Sequence, residues 1–433
     1  MSAIKRILIL VFFWCSAELP AREKVIFLDD PVTSLQQRIL MMRQATKTLD
    51  VAMYIYGNDE VSAQTLLEIH NAAKRGVTIR LIIDDLNNWV PSEILSFLVS
   101  EGVSIRFFNR FQFKYLMDNL VRMHTKLTIA DHRKYILGGR NIDNTYFYIG
   151  DQTNFRDREI FIEGPSAISA RKSFEDLWFC SLLSSRNSFG IGLNEKFGTD
   201  VPAYFNSLCT APMLKDQMIM YRLGKVQKFY CEEVKIIADK IHSPKHQEKK
   251  TTEYIIKLIE QAEKEILIES PYIVFSQDIY QAFQRAIDRG VKVQILTNSM
   301  NTSDSYFVLP VYFKERDQLI KLGFDIMEFQ GEQQYLHSKM FIFDRKHLII
   351  GSYNLDNFST KINTEIYVHI QNADIVRESM RLYHKTYLLS KRPSPDQWYP
   401  TLFEQNLELQ SMSKYIIIKI LQHTIAPYMR NNL

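Results

Sequence analysis

The feature that most constrains this chain is a chemical phrase written twice, nearly half the chain apart. Residues 124–141 read HTKLTIADHRKYILGGRN and residues 337–354 read HSKMFIFDRKHLIIGSYN. His124, Lys126, Asp131, Gly138 and Asn141 therefore recur, at identical offsets, as His337, Lys339, Asp344, Gly351 and Asn354. Composition alone gives about 0.14 expected occurrences of one loose His-x-Lys/Arg-x4-Asp/Glu pattern. Two copies with matching Gly and Asn tails are not an accident of composition.

The strand period supplies a local geometry. HTKLTIA alternates, so His124 and Lys126 share one face of a predicted strand while Leu127 and Ile129 take the other. Asp131-His132-Arg133 reads as a polar turn, and Lys134 to Leu137 as the returning strand. Gly138-Gly139 permits a bend that brings Asn141 beside the His-Lys face. The second copy predicts the same hairpin, with its turn at Asp344-Arg345-Lys346 and its return over His347 to Ile350.

A second repeat frames the first. Residues 47–84 and 264–298 each read as strand, helix and strand, the helix closing at Arg75-Gly76 and Arg289-Gly290. Ile279, Phe283, Ala286 and Ile287 have helical spacing, and each glycine stands where a left-handed C-cap is wanted. So short a crossover implies a parallel βαβ unit. The expected fold is α/β: two pseudo-symmetric halves, each a mixed, mostly parallel sheet flanked by helices, with the active site at their junction. The expected boundaries are 22–190 for the first half, 191–250 for a connecting segment ending in the polar run His246 to Lys250, and 251–395 for the second half.

Two facing sets would gather two imidazoles, two ammonium groups and two amides around one point. Such a cage suits an anionic centre whose charge grows in the transition state, as at the phosphorus of a phosphodiester. One His can attack while the other protonates the departing oxygen. A metal is disfavoured, because protonated Lys repels cations and the carboxylates are not clustered with the histidines. No cofactor is called for. The remaining histidines, His70, His132, His347, His369, His384 and His423 among them, lack ligand spacing and read as structural or solvated.

The doubled pattern resembles the phospholipase D superfamily over roughly residues 45–185 and 255–390. Within it, GGRNIDNTYF (138–147), SPYIVFS (270–276), LTNSMNTSD (296–304) and GSYNLDNFSTKINTE (351–365) are most similar to bacterial cardiolipin synthases of the type C branch. The resemblance implies a covalent phosphohistidine formed without metal and resolved by water or an alcohol. It makes His124 and His337 nucleophile and general acid/base without settling which attacks; our reading takes His124 as the nucleophile. Lys126, Lys339, Asn141 and Asn354 would hold phosphate oxygens, and Asp131 and Asp344 would be structural or orienting. A carboxylate backing the opposite histidine is implied downstream of each motif, and Glu159 in DREIFIEG and Glu365 in NTEIYVHI occupy those places. Gly139 stands where Ser352 stands in the second copy, so the halves cannot be equivalent hydrogen-bond donors.

The implied partners are glycerophospholipids at a membrane surface; the oligomeric state stays open. Lys5 and Arg6, the apolar run Ile7 to Trp14 and the small residues after it read as an export signal or N-terminal anchor over 1–21. That places the protein at the periplasmic face, outside the cell or on a membrane. Cys15 would leave with a cleaved signal, and a pair among Cys180, Cys209 and Cys231 could then bridge, the sequence leaving the pair open. Phe107, Phe108, Phe111, Phe113, Tyr115, Leu116 and Met117 interleave with Arg110 and Lys114, a pattern that fits a lipid interface, core packing or base stacking. The tail 396–433 holds YIIIKILQHTIAPYM (415–429), able to lie on a bilayer or to pack on the core. A formal charge of +4, from 53 Lys and Arg against 49 Asp and Glu, offers no basic track for nucleic acid. The expected reaction is phosphatidyl transfer to an alcohol. Hydrolysis to phosphatidic acid is the alternative, a nuclease is disfavoured, and a lipid-binding relic without catalysis is argued against by the intact His, Lys and Asn sets.

Overall fold

The computed structural model describes residues 22–110, 114, 118–184, 201, 204–205, 216–305 and 308–393. The expected signal, the C-terminal apolar segment, Cys15, Cys209 and the residues Phe111, Phe113, Tyr115, Leu116 and Met117 lie outside these residues. Cys180 and Cys231 are free thiols. No helix among the described residues is long and apolar enough to cross a membrane.

The first half runs β1 (Glu23–Leu28), α1 (Pro31–Gln44), β2 (Thr48–Met53), α2 (Glu60–Lys74), β3 (Thr78–Asp84), α3 (Ser92–Ser100) and β4 (Ser104–Phe108). It continues through β5 (Leu127–Ala130), β6 (Lys134–Gly138), β7 (Asn154–Arg156), β8 (Glu159–Glu163), α4 (Ala167–Trp178) and β9 (Leu183–Ser184). Between the halves come α5 (Asp216–Gly224), β10 (Phe229–Cys231), β11 (Val234–Ala238), β12 (Lys240–Ser243) and β13 (His246–Glu248). The second half runs α6 (Lys250–Gln261), β14 (Glu265–Glu269), α7 (Gln277–Asp288), β15 (Lys292–Asn298), α8 (Val308–Lys321) and β16 (Phe324–Phe329). It ends with β17 (Gln334–Leu336), β18 (Met340–Phe343), β19 (His347–Gly351), β20 (Ile366–Ile370), α9 (Ala373–Tyr387) and β21 (Ser390–Lys391).

Local sequence accounts for the repeated elements. Ile279, Ala282, Phe283 and Ala286 bury one face of α7 against its sheet, at the spacing an amphipathic helix requires. Gly76 and Gly290 follow their helices with φ of 85° and 88°, and an added Cβ would meet nothing at either place. Glycine is wanted there for its backbone, not for room. β2–β3 and β14–β15 are the expected parallel βαβ pairs.

The sheets correct one expectation: they are mixed, but not mostly parallel. The nine-stranded sheet has the order β10-β1-β8-β6-β5-β2-β3-β4-β9 and the eight-stranded sheet β11-β20-β19-β18-β14-β15-β16-β21. Within these two sheets only β2–β3–β4 and β14–β15–β16 are parallel. The motif hairpins β5–β6 and β18–β19, and the strands that follow them, add antiparallel neighbours. Residues 229–238 cross from one sheet to the other, β10 pairing with β1 and β11 with β20.

Each sheet packs one face on its own helices. Their other faces share a single apolar layer, in which Leu127, Leu137 and Ile160 meet Met340, Ile350 and Val368 together with Phe174 of α4 and Leu382 of α9. Phe107 and Phe108 are buried in β4, so these two aromatics are core and not a lipid-facing surface. Burying a side chain of that size stabilises the fold by roughly 1.5–3 kcal/mol.

Candidate active site

The site lies beyond the carboxyl ends of the parallel strands, where an open α/β sheet leaves room for a ligand. Tyr54 follows β2, Leu86 and Trp89 follow β3, Tyr272 follows β14 and Asp304 follows β15; all line one cavity of about 920 Å³. His124, His337, Asn141 and Asn354 line the same cavity. Folding thus brings the two motifs to one place.

Each motif histidine is held by a clamp at the end of a strand. Asp84, closing β3, accepts the Met123 N–H (3.2 Å) and pairs with the Arg122 guanidinium. Asn298, closing β15, accepts the Leu336 N–H (2.8 Å) and donates to the Leu336 carbonyl (2.7 Å). Met123 and Leu336 immediately precede the two histidines. The spacing that aligns the two Arg-Gly pairs also aligns Asp84 with Asn298, and that was the available signal for two residues the sequence analysis missed.

The halves then exchange carboxylates. His124 N–H donates to the Thr364 carbonyl (3.1 Å), and the next residue, Glu365, accepts from His124 Nδ1 at 3.0 and 3.1 Å. In the other direction β17 pairs in parallel with β7, and His337 N–H donates to the Arg156 carbonyl (2.9 Å). The next residue there is Asp157, which accepts from His337 Nδ1 at 2.6 Å. Strand pairing between the halves delivers each carboxylate to the histidine of the other half. Because Nδ1 is committed, Nε2 is the nitrogen left for chemistry on each ring.

Glu365 is therefore where the sequence analysis expected a backing carboxylate, and Glu159 is not. Gly138 pairs with Glu159 across β6–β8, whereas Gly351 pairs with Tyr367 across β19–β20. By register the counterpart of Glu365 is Asp157, two residues before Glu159. Glu159 instead accepts from Ser34 and forms a buried ion pair with Arg38 of α1, which also donates to Thr128 at 2.8 Å. It braces the sheet and does not reach His337.

The other predicted residues divide between the cavity and its support. Lys126 and Lys339 are buried behind the histidines, each Nζ donating to the carbonyl of its own motif histidine. Asn141 accepts the Ile55 N–H (3.2 Å) and donates to the Tyr146 hydroxyl (2.8 Å). The Asn354 Oδ1 is buried with no hydrogen-bond partner among the described residues. Asp131 and Asp344 stand apart from the cluster. They accept main-chain N–H groups from Thr46, Lys47 and Thr48, and from Glu263, Lys264 and Glu265.

The glycines near the motifs are explained by crowding. A Cβ on Gly138 would lie 2.5 Å from the Arg158 carbonyl, and one on Gly351 2.3 Å from that of Ile366. At Gly139 it would lie 2.2 Å from the Asp157 carboxylate, which fills the space the Ser352 side chain takes in the second half. Ser352 donates to Glu365, as does Ser359 at 2.6 Å. The expected inequivalence at this position is a difference in how each carboxylate is held.

Burial governs the electrostatics. It pushes the His124 imidazole down to about 4; Glu365 opposes the shift, and Lys126 and Lys339 add to it. His337 is lowered for the same reason, Lys339 reinforcing and Asp157 opposing. Lys126 falls well below the usual lysine range through burial and the neighbouring charge of Lys339. Burial raises Asp157 and Glu365, but the adjacent lysines and histidines outweigh it and hold both below the usual carboxylate range. Both rings are edge-packed on aromatics, His124 on Tyr54 at 4.9 Å and His337 on Phe155 at 5.1 Å between centroids. His347 and His369 hydrogen-bond one another at 3.0 Å, away from this cavity.

The family described as cardiolipin synthase, PLD-like domain matches residues 39–178 and 255–386, one stretch in each half. The chain belongs to this phospholipase D family. Among its relatives, cardiolipin synthase C of Escherichia coli (strain K12) is 26% identical over 387 residues, covering 81% of this chain and 82% of that one. An uncharacterized protein of Helicobacter pylori J99 is 27% identical over 439 residues, covering 93% of this chain and 85% of the other. In fold the chain resembles the phosphatidylserine synthase of Haemophilus influenzae Rd KW20, with a TM-score of 0.66 at 14% identity over 94% of each chain.

Proposed function

We propose that the protein transfers a phosphatidyl group from a glycerophospholipid to an alcohol by way of a phosphohistidine. The observation that carries this reading is the reciprocal arrangement of two buried histidines on one cavity, each oriented by a carboxylate from the opposite half. His124, neutral at physiological pH, attacks phosphorus through Nε2. The bond to the headgroup oxygen breaks, and His337 gives that oxygen its proton. The incoming phosphate charge opposes the burial that keeps His337 neutral, so the proton is taken up with substrate. An alcohol then returns its proton to His337 while its oxygen displaces His124. The buried lysines stabilise the growing charge from behind the rings, and the two asparagines present amides to the phosphate oxygens.

A lipid substrate is supported by the cavity wall, where Leu86 and Trp89 are 39% and 51% exposed. An exported or membrane-attached location would give such a cavity access to a bilayer. The test is incubation of the purified protein with phosphatidylglycerol and phosphatidylethanolamine vesicles in EDTA, with product analysis. Cardiolipin is the expected product, and neither His124→Ala nor His337→Ala should make it. Phosphatidic acid alone would make water the acceptor. DNA cleavage without lipid turnover would sink the lipid reading.

A further inference from the structure

A carboxylate beside a phosphate anion repels it, so each carboxylate lining the cavity needs a reason to be there. Asp143 accepts the Thr145 N–H (3.0 Å) and caps the short turn Asn144–Tyr146. Asp356 accepts the Ser359 N–H (2.7 Å) at the turn that carries Ser359 toward Glu365. Asp304 is different. Its hydrogen-bond partner among the described residues is the Tyr272 hydroxyl, which lies 2.9 and 3.1 Å from its two oxygens. Its charge acts on His337 and Lys339, yet the His337 ring is already held by Asp157.

The strand ends also bring different residues toward each histidine. Leu86 and Trp89 follow β3, the strand whose end clamps the segment before His124, and Leu120 enters that segment. Asp304 and Ser305 follow β15, the strand whose end clamps the segment before His337. Thr145 and Gln152 flank Tyr146, whose ring packs on His337 at 5.4 Å. Polar groups stand on both sides, Asn87, Asn119 and Arg122 beside Leu86 and Trp89, but the carboxylate that no turn or cap explains, Asp304, is on the side of His337. In an in-line displacement, the leaving and the accepting hydroxyl both occupy the His337 side.

We propose that Asp304, oriented by Tyr272, recognises a second hydroxyl on the alcohol that accepts the phosphatidyl group. The inference rests on the transfer reading above. While the attacking hydroxyl gives its proton to His337 and its oxygen bonds to phosphorus, the neighbouring hydroxyl donates a hydrogen bond to Asp304, which itself moves no proton. Water has no second hydroxyl to place there, so Asp304 favours a polyol headgroup over water and sets the ratio of transfer to hydrolysis.

The test compares the wild-type full chain with Asp304→Asn and Tyr272→Phe on mixed phosphatidylglycerol and phosphatidylethanolamine vesicles, reading the ratio of cardiolipin to phosphatidic acid and the consumption of each lipid. That ratio is internal to each sample, so a partly folded variant does not obscure it. Loss of one charged hydrogen bond should lower the ratio about tenfold in Asp304→Asn. A smaller drop is expected in Tyr272→Phe, which keeps the carboxylate but frees it. An unchanged ratio in both variants overturns this proposal and leaves the transfer reading standing. So does slower consumption of phosphatidylethanolamine at an unchanged ratio, which would make Asp304 an ammonium site. A folded Asp304→Asn protein that makes neither product also overturns it, by placing Asp304 in the first half-reaction. Wild-type protein without lipid turnover overturns both readings together.

Discussion

Asp157 and Glu159 stand two residues apart, yet one meets a histidine and the other an arginine, so their loss should be felt differently. Asp157→Asn removes the acceptor that fixes His337 and the buried partner of Lys339, so turnover of the folded protein should fall roughly 10–100-fold, with a loss of stability beside it. Glu159→Gln leaves the buried Arg38 charge unpaired, and should cost about 3–5 kcal/mol in urea unfolding while the folded fraction still turns over lipid. Gly139→Ser would give the first half the residue of the second. Its Cβ collides with Asp157, so steady-state assays should show activity lost as in Asp157→Asn. The His124 imidazole should titrate near pH 4 by NMR. Because the unfolded histidine binds its proton near pH 6.5, the unfolded state holds more protons between those values. Stability should therefore fall as pH drops through that window, and a urea midpoint that rose instead would contradict a buried neutral ring.

At the scale of elements, the aspartate of each motif is a device of folding. Asp131 and Asp344 adopt φ of 53° and 51° at their hairpin turns and each gathers the N–H groups that open the neighbouring strand, β2 or β14. Burial raises their carboxyls, but the N–H groups of Lys47 and Thr48 in one case, and of Glu263 and Glu265 in the other, outweigh it and hold both low. The stability they add is present above the unfolded carboxyl value and is lost as pH falls through the folded one. Replacing either by Ala should cost roughly 1–3 kcal/mol in thermal or urea unfolding, with activity of the folded protein retained. A loss of turnover without a loss of stability would return these residues to the chemistry. The βαβ units, both hairpins and the left-handed glycines were legible in the sequence, because each is specified by residues within a few positions of one another. The antiparallel neighbours of those hairpins were not. They are pairings over long separations, such as β2 with β5 and β14 with β18.

Taken whole, the molecule is two copies of one plan that cannot work apart, since each histidine borrows its carboxylate across the seam and both sheets share one apolar layer. Urea unfolding should accordingly appear as a single cooperative transition by circular dichroism and by fluorescence; two separated transitions would mean that the shared layer contributes little. The sequence by itself determined the doubled His-Lys-Asn pattern and the α/β units that carry it, because repetition at fixed offsets survives in one dimension. Only the tertiary structure decided that Asp157 and not Glu159 serves His337, that the motif aspartates brace turns, and that Asp84 and Asn298 clamp the approach to each histidine. Those choices depend on strand register and on contacts between halves, and register is set by packing across the seam, which no spacing within one segment records.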